Sequence, residues 1–224
     1  MSKNYVDFTN TEVAFQLKTD SELDRAYFLF KMISKEPLVR IGTAVTHFAL
    51  KTKLPVEGLI RSTVFDHFCG GVNAIDCMIK INQMYNTGVF SILDYSVEGK
   101  QDELQFDSVV KTTLELIDFV ADKNAIPFVV FKPTGVGRLE IYEKLSNSLH
   151  LTLDEKNEWL LIKNRFKTIC DYAKKNKISV LIDAEESWIQ AAVDKLLIEL
   201  MKMYNTKTVV IYNTLQAYRL DRFN

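Results

Sequence analysis

No stretch of the chain reaches the ~18 uninterrupted apolar residues that a membrane-spanning helix requires, and its opening MSKNYVDFTN holds no apolar signal core. An excess of one charge is missing too. With 28 Lys and Arg against 29 Asp and Glu the formal net charge is -1, and no long basic block provides the electrostatic footprint of a nucleic-acid binder. Cysteine is scarce: Cys69, Cys77 and Cys170 are odd in number and stand at no metal-ligand spacing, so they read as reduced thiols rather than a disulfide framework. Neither the glycine pattern of a dinucleotide-binding turn nor that of a phosphate-binding loop occurs, GVGR at 135–138 being too short. These absences together point to a soluble cytoplasmic protein without a metal centre.

What is present is ordinary globular material, 47% hydrophobic and 25% charged, long enough for one large domain or two small ones. Residues 1–60 read as helical: SELDRAYFLFKMIS repeats apolar residues at helical spacing before Pro37, and LVRIGTAVTHFALKT follows as a second helix. From residue 61 to 224 the pattern changes to five short runs rich in Val, Ile and Phe: STVFDHFCGG, GVFSILDYSVEG, AIPFVVFKPTGVG, ISVLIDAEES and KTVVIYNTLQAY. Between them lie NAIDCMIKINQMYNTG, LQFDSVVKTTLELIDFVADKN, LDEKNEWLLIKNRFKTICDYAKKN and WIQAAVDKLLIELMKMYN, each a helix with one apolar stripe. Alternating strands and helices imply an α/β fold with a parallel sheet, and runs apolar at successive residues fit strands covered on both faces.

In such folds the ligand face lies at the C-terminal ends of the strands. All five runs end there in polar or glycine-rich residues: Gly70-Gly71, Asp94 to Glu98, Lys132 to Gly135, Asp183 to Glu186, and Asn213 to Gln216. Each alone has a plain structural explanation. Asp94 or Asp183 can cap the next helix, and a glycine pair only permits a tight turn. Lys132, after PFVVF, needs either a partner, an anionic ligand or a path to solvent. Asp183, Glu185 and Glu186 suit Mg2+ by ligand type, yet strand geometry sends Glu185 and Glu186 to opposite sides. His67 and Cys69 alternate along the first run, which sends both inward without a third ligand.

The segments FCGG, LDYSVEGK, FKPTG, LIDAEESWIQ and YNTLQAYRLDR, in this order and at βα spacing, resemble the proline dehydrogenase family. The resemblance spans roughly residues 8–222, with IDAEES and the later QAY its most specific parts. It implies a distorted (β/α)8 barrel, here about five βα units after an N-terminal helical segment, with FAD at the strand ends. It further implies oxidation of L-proline to Δ1-pyrroline-5-carboxylate, with a quinone or other electron acceptor and peripheral contact at the inner face of a membrane. By position, Lys132 matches the lysine that helps bind the proline carboxylate, Asp183 the aspartate that orders the substrate-side network, and Gln216 the glutamine that hydrogen-bonds the flavin. Asp94 matches an acidic position on the substrate side. On this reading Lys132 is the fixed cation, and Asp183 is the counter-anion that steadies it.

Two departures accompany the resemblance. Where relatives read Gly-Glu at the first strand end, with the glutamate closing the site, this chain has Val72 after Gly71. Counterparts of the family's later strands and its paired C-terminal arginines are also absent, so unpaired strand edges are expected unless an assembly or a further segment completes the barrel. Two other readings stay open at this level: a non-catalytic flavin-binding remnant, and a doubly wound α/β domain that binds an unrelated anion.

Overall fold

The computed structural model describes residues 7–94 and 102–222, and the chain divides into two compact units, Met1–Met84 and Tyr85–Asn224. The regular elements among the described residues of the first are all helical: α1 (Thr11–Ala14), α2 (Asp20–Ile33), α3 (Glu36–Lys51), α4 (Glu57–Ile60), a π turn (Arg61–Phe65), α5 (Asp66–Phe68) and α6, which begins at Ala74 and runs to Tyr85. Local sequence explains the boundaries. Thr19 and Glu22 form a reciprocal capping box at the start of α2, and Pro37 sits in the first turn of α3, where its missing N–H costs no helical bond.

One expected strand is corrected here, since STVFDHFCGG is helical through Phe68 and ends in a non-helical Cys69-Gly70-Gly71. Ile60, Val64 and Phe68 recur every fourth residue, a spacing that serves a helix, and no strand lies among the described residues of this unit to pair with an extended segment. Lys80 reinforces the choice by donating from Nζ to the carbonyls of Asp66 at 2.9 Å and Cys69 at 3.1 Å, acceptors that the helix end leaves open. His67 therefore does not face a barrel interior beside Cys69; its ring meets the edges of Phe30 at 5.2 Å and Phe68 at 4.8 Å.

The second unit is an α/β fold with a small parallel sheet. Its strands are β1 (Phe128–Phe131), β2 (Ser179–Ile182) and β3 (Ile211–Asn213), ordered β1-β2-β3, with Phe131 opposite Ile182 and Ile182 opposite Asn213. A single parallel bridge from Leu93 to Val129 marks the other side of β1 and is what the run GVFSILDYSVEG contributes; its residues 95–99 lie outside the described residues. Spatial order thus follows chain order without the reversal that defines a doubly wound sheet.

Helices α7 (Glu103–Val120), α8 (Leu139–Ser146), α9 (Leu153–Asn176) and α10 (Gln190–Tyr204) complete the unit. α7 packs on β1, α9 on β2 and α10 on β3, while α7 meets α9 and α9 meets α10, which makes one continuous layer. Burial follows that layer. Val129, Phe131, Val180, Ile182 and Ile211 are buried, whereas Phe128, Val130, Leu181 and Tyr212, on the opposite side of the pleat, are only half-buried. Coverage of both faces, expected from the apolar runs, is therefore realised on one. Across the half-open face Phe128 and Tyr212 meet edge to face at 5.1 Å, and beneath the covered one Phe131 meets Phe166 of α9 at the same separation.

The core holds Ile117, Ile162, Phe166, Ile169, Ile182, Leu197 and Ile211, each fully buried and worth about 1.5–3 kcal/mol in transfer from water. Arg165 is a charged residue in this core, 8% exposed, with its guanidinium over the Phe106 ring and bonded to Asp107 and Glu103 of α7. Gly137 is required by packing, because a Cβ there would overlap the Ile162 side chain and crowd the Tyr142 hydroxyl.

Candidate functional site

The ends of β1 and β2 are fastened to each other before any side chain acts. Asp183 donates its backbone N–H to Phe131 O at 3.1 Å, and the chain after β1 enters a 3-10 turn, Pro133–Gly135, with Lys132 extended just before it. Lys132 Nζ lies 3.4 Å from Asp94 Oδ2, with 31% of the lysine side chain and 44% of the aspartate side chain exposed. Both groups remain hydrated, so the pair contributes little to folding and leaves the ammonium accessible. The carboxylate that pairs with Lys132 is thus Asp94, where the sequence had pointed to Asp183. Asp183 is half-buried and joins the rim through its backbone.

Glu185 supplies the next connection. Its Oε2 accepts from Thr134 N at 2.8 Å and its Oε1 from the Thr134 hydroxyl at 2.6 Å, a link between the segments after β2 and after β1. Burial pushes the Glu185 carboxyl above its ordinary range, the two Thr134 bonds pull against that, and the charge of Glu186 adds to the rise. Tyr142 of α8, wholly buried, donates to Pro133 O at 2.8 Å; burial first, and the Glu185 charge second, hold its hydroxyl far above the usual tyrosine range.

After β3 the chain folds back over the end of β2. Thr214 Oγ1 accepts from Ala184 N and donates to Ile182 O at 3.2 Å, and Gln216, 8% exposed, donates from Nε2 to Glu185 O. Arg219 donates to Gln216 Oε1 and to Ser187 O, both at 3.1 Å. Asp194 of α10 gathers Gln190 Nε2 at 2.8 Å, Asn213 Nδ2 at 2.9 Å and Arg222 Nη1 at 2.6 Å. Two acceptors near this rim, Glu186 Oε2 and Gln190 Oε1, are buried without a partner among the described residues.

The structure therefore brings together Lys132 with Asp94, and Gln216 with the Glu185 backbone, on one rim. Val72 is exposed in the first unit, in the loop before α6. Sequence reasoning missed Thr134, Tyr142 and Asp194, and considered Glu185 only as a metal ligand. A polar residue just after Lys-Pro was the available signal for Thr134. Among the described residues no helix is long and apolar enough to cross a membrane, and no group of three or more His, Cys, Asp or Glu could hold a metal ion.

The family model described as proline dehydrogenase matches residues 77–224. The carbapenem antibiotics biosynthesis protein CarD of Pectobacterium carotovorum subsp. carotovorum is 34% identical over 184 residues, covering 82% of this chain and 49% of that protein. Mitochondrial proline dehydrogenase 1 of Arabidopsis thaliana is 25% identical over a 264-residue alignment, covering 98% of this chain and 53% of that one. The chain thus spans about half the length of these curated relatives. Its fold is similar to that in the crystal structure of proline utilization A (PutA) from Bdellovibrio bacteriovorus inactivated by N-propargylglycine, with TM-score 0.58, 16% identity, and coverage of 74% of this chain and 18% of that one.

Proposed function

Since the chain belongs to the proline dehydrogenase family, we propose that it takes part in flavin-dependent oxidation of L-proline to Δ1-pyrroline-5-carboxylate at the C-terminal rim of its sheet. The observation that carries this reading is the Lys132–Asp94 pair, a hydrated, accessible cation held 3.4 Å from a carboxylate at the end of β1, within the segment that the family model matches.

In this reaction the ring carbon beside nitrogen gives up a hydride and the nitrogen a proton, leaving a C=N bond. FAD, when bound, supplies the two-electron acceptor. The residues present fit such a group at Gln216: the side-chain amide has two hydrogens, and one acceptor for them, Glu185 O, is found among the described residues. The second hydrogen is the donor that would face the cofactor. Arg219, beside it, fixes the amide orientation through Oε1.

The chain's own part is alignment and charge. Lys132 holds the substrate carboxylate, Asp94 steers the ammonium toward it, and Asp183 orders the polar groups on the substrate side. The bound group would need a quinone or another acceptor for its electrons, and a membrane quinone in that role would bring the working protein into peripheral contact with a membrane. The test is to incubate the chain with FAD, a soluble quinone and L-proline, then trap Δ1-pyrroline-5-carboxylate with o-aminobenzaldehyde. Coloured adduct formed with L-proline and not with D-proline is expected; adduct formation indifferent to L-proline would overturn the reading.

A further inference from the structure

The turn that carries Lys132 into the rim is gripped from three elements at three different residues. Glu185, after β2, holds Thr134 at both its backbone N–H and its hydroxyl. Tyr142 of α8 holds the Pro133 carbonyl at 2.8 Å, and Arg165 of α9 reaches the Val136 carbonyl from Nη1 at 3.4 Å. Tyr142 and Arg165 are buried core residues with partners or packing on several sides, so their bonds to the turn accompany a structural task. Glu185 is different. It is a half-buried carboxylate placed where burial is unfavourable, and the side-chain bonds found for it all run to Thr134, two residues beyond Lys132.

We propose that Glu185 is a positioning residue that sets the direction of the Lys132 ammonium by clamping Thr134. The inference rests on the reading of Lys132 as the cation that holds the substrate carboxylate. The clamp acts through the backbone: with Thr134 fixed at N–H and hydroxyl, the peptide units on either side of Pro133 are fixed, and with them the exit of the Lys132 side chain toward Asp94. The chemistry also separates geometry from charge. Gln at position 185 can accept from Thr134 N–H through its carbonyl and donate from its amide to the Thr134 hydroxyl, which keeps the clamp and removes the charge. Ala keeps neither.

The experiment compares wild type, Glu185→Ala and Glu185→Gln by amide hydrogen exchange at Thr134, by the rate of Lys132 acylation with an N-hydroxysuccinimide ester, and by L-proline affinity in equilibrium dialysis. Loss of charge-assisted bonds in Glu185→Ala is expected to speed Thr134 exchange and Lys132 acylation, and to weaken L-proline binding, each by roughly tenfold. Glu185→Gln should restore all three to within about twofold of wild type, as a retained pair of neutral bonds allows. Faster Thr134 exchange with unchanged Lys132 acylation would overturn the proposal, and so would a Gln variant as defective as Ala. If acylation responds as expected while even the wild type binds no L-proline, the clamp stands and the substrate reading falls. Should Glu185→Ala fail to fold, Thr134→Val removes one of the two bonds and is expected to accelerate Lys132 acylation by about threefold; no acceleration in that folded variant would count against the clamp.

Discussion

Replacing Lys132 with Met separates the two tasks an ammonium at a strand end can have. The ion pair with Asp94 spans 3.4 Å with 31% and 44% of the two side chains exposed. Two unit charges about 4 Å apart in water attract by about 1 kcal/mol, and ordering two flexible side chains offsets much of that, so the pair is worth about 0–1 kcal/mol to the fold. A Met side chain keeps the aliphatic packing. For a chain of this size 1 kcal/mol corresponds to about 2–4 °C in Tm, so the variant should unfold within a few degrees of wild type. Binding of L-proline should respond differently. A hydrogen bond to a charged group contributes about 1.5–3 kcal/mol when the partner loses its water, which at 1.36 kcal/mol per decade is a roughly ten- to hundredfold loss of affinity. Thermal unfolding followed by circular dichroism and equilibrium dialysis with labelled L-proline measure the two quantities. A Tm lowered by ten degrees or more together with L-proline affinity unchanged within twofold would show that Lys132 holds the structure and not the ligand.

Three further outcomes are expected. Gly137→Ala drives a Cβ into Ile162 and toward the Tyr142 hydroxyl, and overpacking of this kind costs about 1–3 kcal/mol; adding Ile162→Val removes one of the overlapped carbons and should recover part of the loss, as chemical denaturation will show. Glu185 titrates higher in the folded chain than in the unfolded one, so its contribution to stability is full below the ordinary carboxyl value of 4.5 and is lost as pH rises through the folded value; Glu185→Gln should flatten that part of the stability–pH curve. Cys170 is buried in α9 with its thiol pushed up to about 12, and burial also raises the thiol of the half-buried Cys77, so iodoacetamide at mildly alkaline pH should label Cys69 first and Cys77 more slowly, and spare Cys170 until the protein unfolds.

The residues show why some of this architecture was legible and some was not. α9 coincides with its sequence reading because Thr152 and Glu155 form a capping box at one end and Lys177, at φ 59, terminates the other. α8 escaped notice because eight residues between a glycine-rich turn and a stronger helical stripe give little periodicity to detect. The misread run 62–71 mixes β-favouring residues with apolar positions every fourth residue, and whether such a run becomes a strand is decided by the neighbours available to pair with it, which a local pattern does not contain. At the rim, Lys132, Asp94 and Gln216 were visible as polar residues ending apolar runs. Their actual partners were not, because the Thr134–Glu185 contact joins positions 51 residues apart, and the fold-back of 214–222 depends on where Asp194 and Ser187 sit in space.

The most direct test of a flavin-dependent proline site is the visible absorption spectrum of the purified chain after addition of FAD and removal of unbound cofactor, recorded before and after anaerobic L-proline. A retained flavin band that bleaches on addition of L-proline is the predicted result. A chain that retains FAD whose band is indifferent to L-proline, or that retains none, would contradict the account.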